Sequence, residues 1–407
     1  MSNNDEPINN NIACSEIHNG YDIDLITSSV SHCCKQTPYR PSIEEIKLHG
    51  SKIFDLNSST VLARKDFANN IRTASCADCW NDEDKGIKSW RQIHVERAAT
   101  DVNDQIRINL QLSNLCNQSC FYCHPHLSST IESLGYWVDS SSGKKLPTSE
   151  LNNNRIPNES KNLLNFENII KFVGDIPAKH KSLVIGITGG EPFIVNKFNE
   201  NLEELIAVYF KNDPTKELMF AFASNGNVKP ENLLEFYAKI KELKTKYNIF
   251  IKVGLSIENL YERAEYIRYG LEWNNFTTNL KIHCDNADSV TLQLTINVFS
   301  IVGIADFIEY FKDYKLDGFI YSYAGQSFFR LNILDQSFLP EIQRLENYLK
   351  TNNIEHMFKN YKNLYSLNDD KINAKTFKLA VTNLDEIRGT NWRSVFPEYI
   401  QWFDKIQ

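Results

Sequence analysis

The residues of this chain that are best suited to chemistry are its cysteines. Nine are present, and seven of them fall into three groups: Cys33 with Cys34, Cys76 with Cys79, and Cys116 with Cys120 and Cys123. Grouping of this kind points to metal binding more than to scattered core packing. The densest group lies in Ser113-Asn114-Leu115-Cys116-Asn117-Gln118-Ser119-Cys120-Phe121-Tyr122-Cys123-His124-Pro125. Three thiolates in one short loop suit soft iron. A four-iron–four-sulfur cluster takes four ligands, so three cysteines leave one iron open to a small molecule. A zinc knuckle and a set of ordinary buried thiols are compatible with the same spacing, and spacing alone leaves both readings standing. Cys14 and Cys284 stand alone.

The elements around the loop narrow its position. Ile106, Ile108, Leu110 and Leu112 alternate with polar residues, which predicts a strand leading straight into the three-cysteine loop. Further strands are expected at 183–188, 218–223, 249–256, 290–298 and 318–322, with helices between them, as at 231–247 and 305–314. Alternating strands and helices imply βαβ units and a parallel sheet. Six strands predict an α/β fold of partial (β/α)6, TIM-like form, not a closed eight-fold barrel. In such sheets ligands bind at the carboxyl ends of the strands, and the loop leaves the first strand there. The polar stretch 139–158 reads as a loop or lid, and the chain after Gln326 as mainly helical, most clearly at 339–349. The expected organisation is a disordered Asn-rich tail at 1–13, a cysteine-rich module at 14–100, a core at 101–328 and a helical region at 329–407.

The spacing CxxxCxxC, with Tyr122 before the last cysteine, resembles the signature of the radical S-adenosylmethionine (SAM) superfamily. The resemblance implies that the cluster reductively cleaves SAM to a 5′-deoxyadenosyl radical, which abstracts a hydrogen atom from an unidentified substrate. It also implies that Tyr122 packs near the SAM adenine. Thr188-Gly189-Gly190-Glu191-Pro192 is similar to the family's GGEP motif, with Glu191 accepting from the SAM ammonium and the glycines letting backbone approach the ligand. Ser224 and Asn225 resemble the family's third-strand end. Ser256 and Glu258 resemble its fourth, and Asn297 lies where a fifth-strand polar contact is often placed.

Ser75-Cys76-Ala77-Asp78-Cys79-Trp80, with Glu83, Gly86, Ser89 and Arg91 behind it, resembles the cysteine-rich module of twitch-domain radical SAM proteins. Ser128-Ser129, Leu384-Asp385-Glu386-Ile387-Arg388-Gly389 and Phe396-Pro397-Glu398 also look like that subgroup. The resemblance implies an auxiliary iron–sulfur cluster on Cys14, Cys33, Cys76 and Cys79, with Cys34 as the alternative to Cys33. The chain departs from the subgroup around Cys14, where the usual Pro-Trp is absent. Four thiolates also suit structural zinc, and a non-enzymatic zinc-binding interaction protein is the alternative function.

Composition bounds the partners. A net charge of −7 gives no electrostatic footprint for nucleic acid. The N-terminus lacks the basic start and apolar core of a signal peptide, and no apolar run approaches the ~20 residues of a membrane span. A cytoplasmic protein with reduced thiols is expected. Its expected partners are an external electron donor such as flavodoxin or ferredoxin and a peptide, sugar or other small-molecule substrate. Cys284 reads as a buried core thiol or, less commonly, a hydrogen-atom donor. His124 and His126 read as pocket or loop polars. Glu83 and Arg91 read as surface charges or a module salt bridge, and the aromatic stretch 321–329 as core or substrate wall.

Overall fold

A computed structural model describes residues 14–86, 88–100, 105–150, 163–177, 179–354 and 370–406. The expected disordered tail at 1–13 lies outside them, as do residues 151–158 of the expected lid. The strands are β1 Gly20–Asp24, β2 Ser29–Ser31, β3 Gln105–Ser113, β4 Ser119–Cys120, β5 Tyr136–Val138, β6 Lys145–Pro147, β7 Ser182–Gly189, β8 Glu217–Ser224, β9 Asn248–Ser256, β10 Arg268–Tyr269, β11 Ser289–Ile296 and β12 Gly318–Tyr323. The main sheet has the order β12-β11-β9-β8-β7-β3-β1-β2. All six expected strands are present within a residue or two of their expected bounds. In β3 the alternation places Ile106, Ile108 and Leu110 in the core. The helices Pro230–Lys244, Ile304–Phe311 and Leu339–Thr351 likewise fall where the sequence places them.

The sheet has eight strands, not six. The two extra strands come from the segment read only as a cysteine module. β1 pairs parallel with β3, Tyr21 opposite Ile108 and Ile23 opposite Leu110, and β2 folds back antiparallel on β1. The sequence hides β1 because it is five residues long and carries two aspartates. Asp24 is consumed by the turn that follows, where its carboxylate accepts from the Ile26 and Thr27 amides and the Thr27 hydroxyl. The stretch 139–158 also departs from a plain loop. Its first part is the turn and second strand of the hairpin β5–β6, in which Trp137 lies opposite Leu146, and Asp139 holds the turn by accepting from Ser141 and Ser142.

The chain divides into two compact units. The first is Met1–Gln111, Asn158–Gly186 and Asn201–Met219; the second is Leu112–Pro157, Ile187–Glu200 and Phe220–Gln407. Strands β3, β7 and β8 give their first residues to the first unit and their last residues to the second.

Within the first unit, the Cys76–Arg91 motif is a clamp between two helices, Ala77–Asp84 and Trp90–Thr100. Glu83 accepts from Ser89 Oγ at 2.5 Å, from Arg91 Nε at 2.9 Å and from Arg91 Nη2 at 2.8 Å. The Arg91 guanidinium stands 4.7 Å over the buried Trp80 ring, with Arg72 5.1 Å from the same ring. This is the salt-bridge reading of the pair, almost closed to solvent. Cys14, Ile17, Ala63, Phe67, Cys76 and Trp80 form one apolar cluster beside it.

Within the second unit, an aromatic core joins the cysteine loop to the C-terminal helices. Phe121 lies 4.1 Å from Phe329 and 5.4 Å from Phe299, and Phe299 stacks on Phe396 at 4.4 Å. Phe328 and Phe329 are buried, so the end of the 321–329 stretch is core.

Replacing Arg91 by alanine leaves Glu83 enclosed without its counter-charge. Removing one partner of a buried pair is strongly destabilising, so Arg91→Ala is expected to lower the unfolding free energy by ~3 kcal/mol. Urea denaturation measures it; an unchanged midpoint would show that the clamp is dispensable.

Candidate functional site

The three-cysteine loop is held from several sides, all within the second unit. Gly190 N donates to Ser113 O at 2.6 Å and Glu191 N to Leu115 O at 2.7 Å, which straps the turn after β7 onto the start of the loop. The glycines are needed for that contact. Gly189 has φ +111°, and a Cβ there would meet Ser113 O at 2.6 Å; at Gly190 it would meet Leu115 O at 2.1 Å. The close approach they allow is therefore to the loop's own backbone, where the sequence suggested an approach to a ligand. Ser128 Oγ donates to Gln118 O at 2.6 Å and Thr130 Oγ1 to Cys116 O at 2.6 Å, while Ser129 Oγ accepts from Cys116 N at 3.1 Å. At the far side β4 pairs antiparallel with β10, with Cys120 opposite Arg268. Burial of Phe121 fixes the loop between Cys120 and Tyr122.

The thiols are near enough to act on one another electrostatically. Burial pushes Cys120 up to about 12 and Cys123 up to about 11, and it raises Cys116 as well. Neighbouring thiols add to the effect at Cys120 and Cys123, while Arg268 opposes it at both. Two donors reach the sulfurs: Arg268 Nη1 at 3.6 Å from Cys120 Sγ, and Asn225 Nδ2 at 3.7 Å from Cys116 Sγ.

Among the described residues no group of three or more His, Cys, Asp or Glu side chains converges on a single metal-ion position. Zinc requires such convergence, with Zn–S bonds of about 2.3 Å around one point. A cluster does not, because each thiolate takes a different iron. Three soft donors from one loop, with N–H groups aimed at two of the sulfurs, fit an iron–sulfur cluster.

Glu191 is the most unusual group beside the loop. Its carboxylate is 1% exposed and accepts from Asn225 N at 2.6 Å, Phe193 N at 3.2 Å and Ser224 Oγ at 3.0 Å. Among the described residues no cation lies within ion-pair distance of it. Burial raises its pKa to about 7, against the opposing effect of those hydrogen bonds. Burial without a counter-charge disfavours the ionised form of a carboxylate.

The other expected contacts divide. Ser224 and Asn225 stand beside Glu191 as the sequence places them. Ser256, at the end of β9, is half-buried, and its hydroxyl makes no hydrogen bond among the described residues. Glu258 has different company. Its carboxylate pairs with Arg268 and accepts from the Tyr122 hydroxyl and from Thr295 N at 3.3 Å. Arg268 Nη2 also donates to Tyr122 Oη at 2.6 Å. Asn297 is fully buried, and its side chain closes its own turn, donating to Thr295 O and accepting from Phe299 N. Sequence reading missed Arg268, Arg388 and Phe121. The only signal for Arg388 is its place in the Leu384–Gly389 stretch. Cys284 is buried on the helix Trp273–Asn286, with Lys315 and Asp317 as electrostatic neighbours. Asp317 precedes β12, so Cys284 sits toward the amino ends of the strands, away from the loop. His124 accepts from His126 N at 3.1 Å and packs on Trp137 at 4.7 Å.

In the first unit Cys14, Cys33, Cys76 and Cys79 are electrostatic neighbours in series: Cys14 acts on Cys33, Cys76 on Cys14, and Cys79 on Cys76. Burial pushes Cys14 up to about 12 and Cys76 up to about 11. Both stand at helix N-caps; the backbone of Glu16 and Ile17 opposes the rise at Cys14, and the Ser75 side chain opposes it at Cys76. Cys34 is exposed and is hydrogen-bonded to Cys33, with Asp22 and Lys35 as its other electrostatic neighbours.

No family model matches the chain, and no curated protein does. Solved structures similar to it include "Native anSMEcpe with bound AdoMet", at 16% identity over 64% of this chain and 62% of that one, with a TM-score of 0.40. "Native anSMEcpe with bound AdoMet and Cp18Cys peptide" is 14% identical over 54% of this chain and 51% of that one, with a TM-score of 0.35. A Streptococcus suis SuiB structure bound to precursor peptide SuiA is 11% identical over 84% of this chain and 70% of that one, with a TM-score of 0.40. The chain spans 51% to 62% of the length of these anSMEcpe chains.

The Glu191 environment predicts a pH dependence for the metal-free protein. Its folded pKa lies above the ordinary 4.5, so the native state holds the proton more tightly than the unfolded chain. The stability this gives is complete below pH ~4.5 and is lost as pH rises to about 7, a change of order 3 kcal/mol. Glu191→Gln removes that slope. Urea unfolding of both proteins from pH 5 to 8 checks it; parallel curves would refute the assignment.

Proposed function

We propose that this chain is a radical SAM enzyme. Cys116, Cys120 and Cys123 hold a [4Fe-4S] cluster, and the Gly189-Gly190-Glu191 turn receives the ammonium of S-adenosylmethionine. One observation carries the reading: a buried carboxylate with no cation, on a turn hydrogen-bonded directly to a loop of three adjacent thiols. When bound, the cluster and SAM supply the power to abstract a hydrogen atom from an unactivated carbon.

The chain's own residues prepare that site. Glu191 accepts the ammonium and in doing so releases its proton, so SAM affinity rises with pH up to about 7. Ser224 and Asn225 hold the carboxylate in place. The Ser256 hydroxyl is available to a polar group of the ligand. Tyr122 presents its ring toward the adenine, with its hydroxyl anchored by Glu258 and Arg268 and its carbonyl accepting from Gln326 Nε2 at 2.9 Å. Glu258 and Asn297 act by holding Tyr122 and the end of β11 in place, since their side chains already have partners.

The first unit carries an auxiliary iron–sulfur cluster on Cys14, Cys33, Cys76 and Cys79. The exposure of Cys34, against the half-buried Cys33 that has Cys14 as an electrostatic neighbour, favours Cys33 as the ligand. The module at 14–100, the core at 101–328 and the helical region at 329–407 remain the proposed division of labour. A cytoplasmic location with a flavodoxin or ferredoxin as one-electron donor suits this chemistry, and the substrate is a peptide, sugar or other small molecule. Among the described residues no helix is long and apolar enough to cross a membrane.

Anaerobic reconstitution followed by assay for 5′-deoxyadenosine tests the proposal. Reduced wild-type protein should bind iron and release 5′-deoxyadenosine from SAM, and Cys120→Ala should abolish release. Iron-loaded protein that neither binds nor cleaves SAM would refute it, and purified protein containing zinc in place of iron would favour the alternative. Cys76→Ser with Cys79→Ser should remove about half of the iron, the share of one of two four-iron clusters.

A further inference from the structure

Two buried arginines flank Cys120, and they differ in one respect. Arg268 has a full counter-charge. Burial works against its ionised form, but Glu258 overrides that and holds it well above the usual guanidinium range. Arg388 has none. It ends the helix Lys371–Arg388 and is 6% exposed. Its Nη2 donates to Ser119 O at 2.5 Å, the carbonyl next to Cys120, and its Nη1 to Tyr266 O at 3.4 Å. The guanidinium lies 5.5 Å over the Tyr269 ring. Its Nε is buried with no hydrogen-bond partner. Among the described residues no carboxylate lies within ion-pair distance. Asp385, one helical turn earlier, is engaged by Tyr266 Oη at 3.0 Å, Thr390 Oγ1 at 2.6 Å and Trp392 N at 2.9 Å.

A buried cation without an anion is unfavourable, and native proteins pair such charges. Burial accordingly lowers the Arg388 pKa. Tyr266, Cys120, Asp385 and Tyr269 partly oppose this, and Cys123 in turn feels the guanidinium. The missing anion is supplied by the proposed cluster. An oxidised four-iron core carries two positive charges and three thiolates carry three negative ones, so the assembly is anionic before any electron arrives. One-electron reduction adds a further negative charge.

We infer that Arg388 is the built-in counter-charge of the cluster on Cys116, Cys120 and Cys123, a positioning residue that favours the reduced cluster. This rests on the proposed cluster. It assigns a role to a residue of the C-terminal Leu384–Gly389 stretch, and it explains why a helix far along the chain ends on the backbone of the cysteine loop.

The test is an electron paramagnetic resonance-monitored redox titration of reconstituted wild-type protein, Arg388→Met, Arg388→Gln and Arg388→Lys, with dithionite as the one-electron donor. Removing the charge should lower the reduced-to-oxidised ratio at a fixed potential by about tenfold, equivalent to about 59 mV for one electron. Lysine should restore most of it. Metal-free Arg388→Met should fold at least as well as metal-free wild type, because it removes a charge that has no partner in that state. Equal potentials for wild type and the charge-free variants would overturn the inference, leaving Arg388 a staple. So would a failure of both Met and Gln variants to fold while Lys folds with a shifted potential. A wild-type protein that takes up no iron would instead remove the cluster reading itself.

Discussion

The strap between the turn after β7 and the start of the cysteine loop is the constraint on which the site depends. Two backbone hydrogen bonds, from Gly190 N and Glu191 N, bring the end of one strand against the loop leaving another. A side chain at Gly190 would occupy the position of Leu115 O. Everything chemical follows from that contact. It sets the Glu191 carboxylate beside the first cysteine, and Asn225 then touches both Glu191 and Cys116. The serines and threonine at 128–130 close the loop from the other side by taking up its carbonyls.

Charge placement around the loop is asymmetric. Glu258, Arg268 and Tyr122 form a closed, self-satisfied group that fixes geometry. Glu191 and Arg388 are the open ends, one a buried anion without a cation and the other a buried cation without an anion. Unpaired buried charges are unfavourable for folding in isolation, and their retention on two sides of the same loop is understandable if ligands of opposite sign complete them. The metal-free protein is therefore less stable than its packing alone would make it.

The cysteine-bearing helices of the first unit are held in a different way. A few apolar residues, a Trp80 ring flanked by two arginines and the Glu83–Arg91 clamp do the work of a small core, and the thiols of Cys14, Cys76 and Cys79 are packed into or against it. The rest of that unit carries an ordinary apolar core, with Ile53, Phe54, Ile108, Ile169, Leu183 and Leu205 buried.

The sequence by itself determined the alternating core and the loop. Strand β3, the spacing of Cys116, Cys120 and Cys123, and the Gly189–Glu191 turn are local signals, because period-two burial and a tight turn each need only neighbouring residues. Tertiary structure decided what could not be local. β1 joined the sheet by pairing with a strand more than 80 residues away, despite its two aspartates. Glu258 took Arg268 as its partner instead of standing free for a ligand, and Asn297 closed its own turn. Arg388 came to Ser119 across 269 residues. Such choices depend on which buried charges and carbonyls the fold brings together, and no window of sequence contains that information.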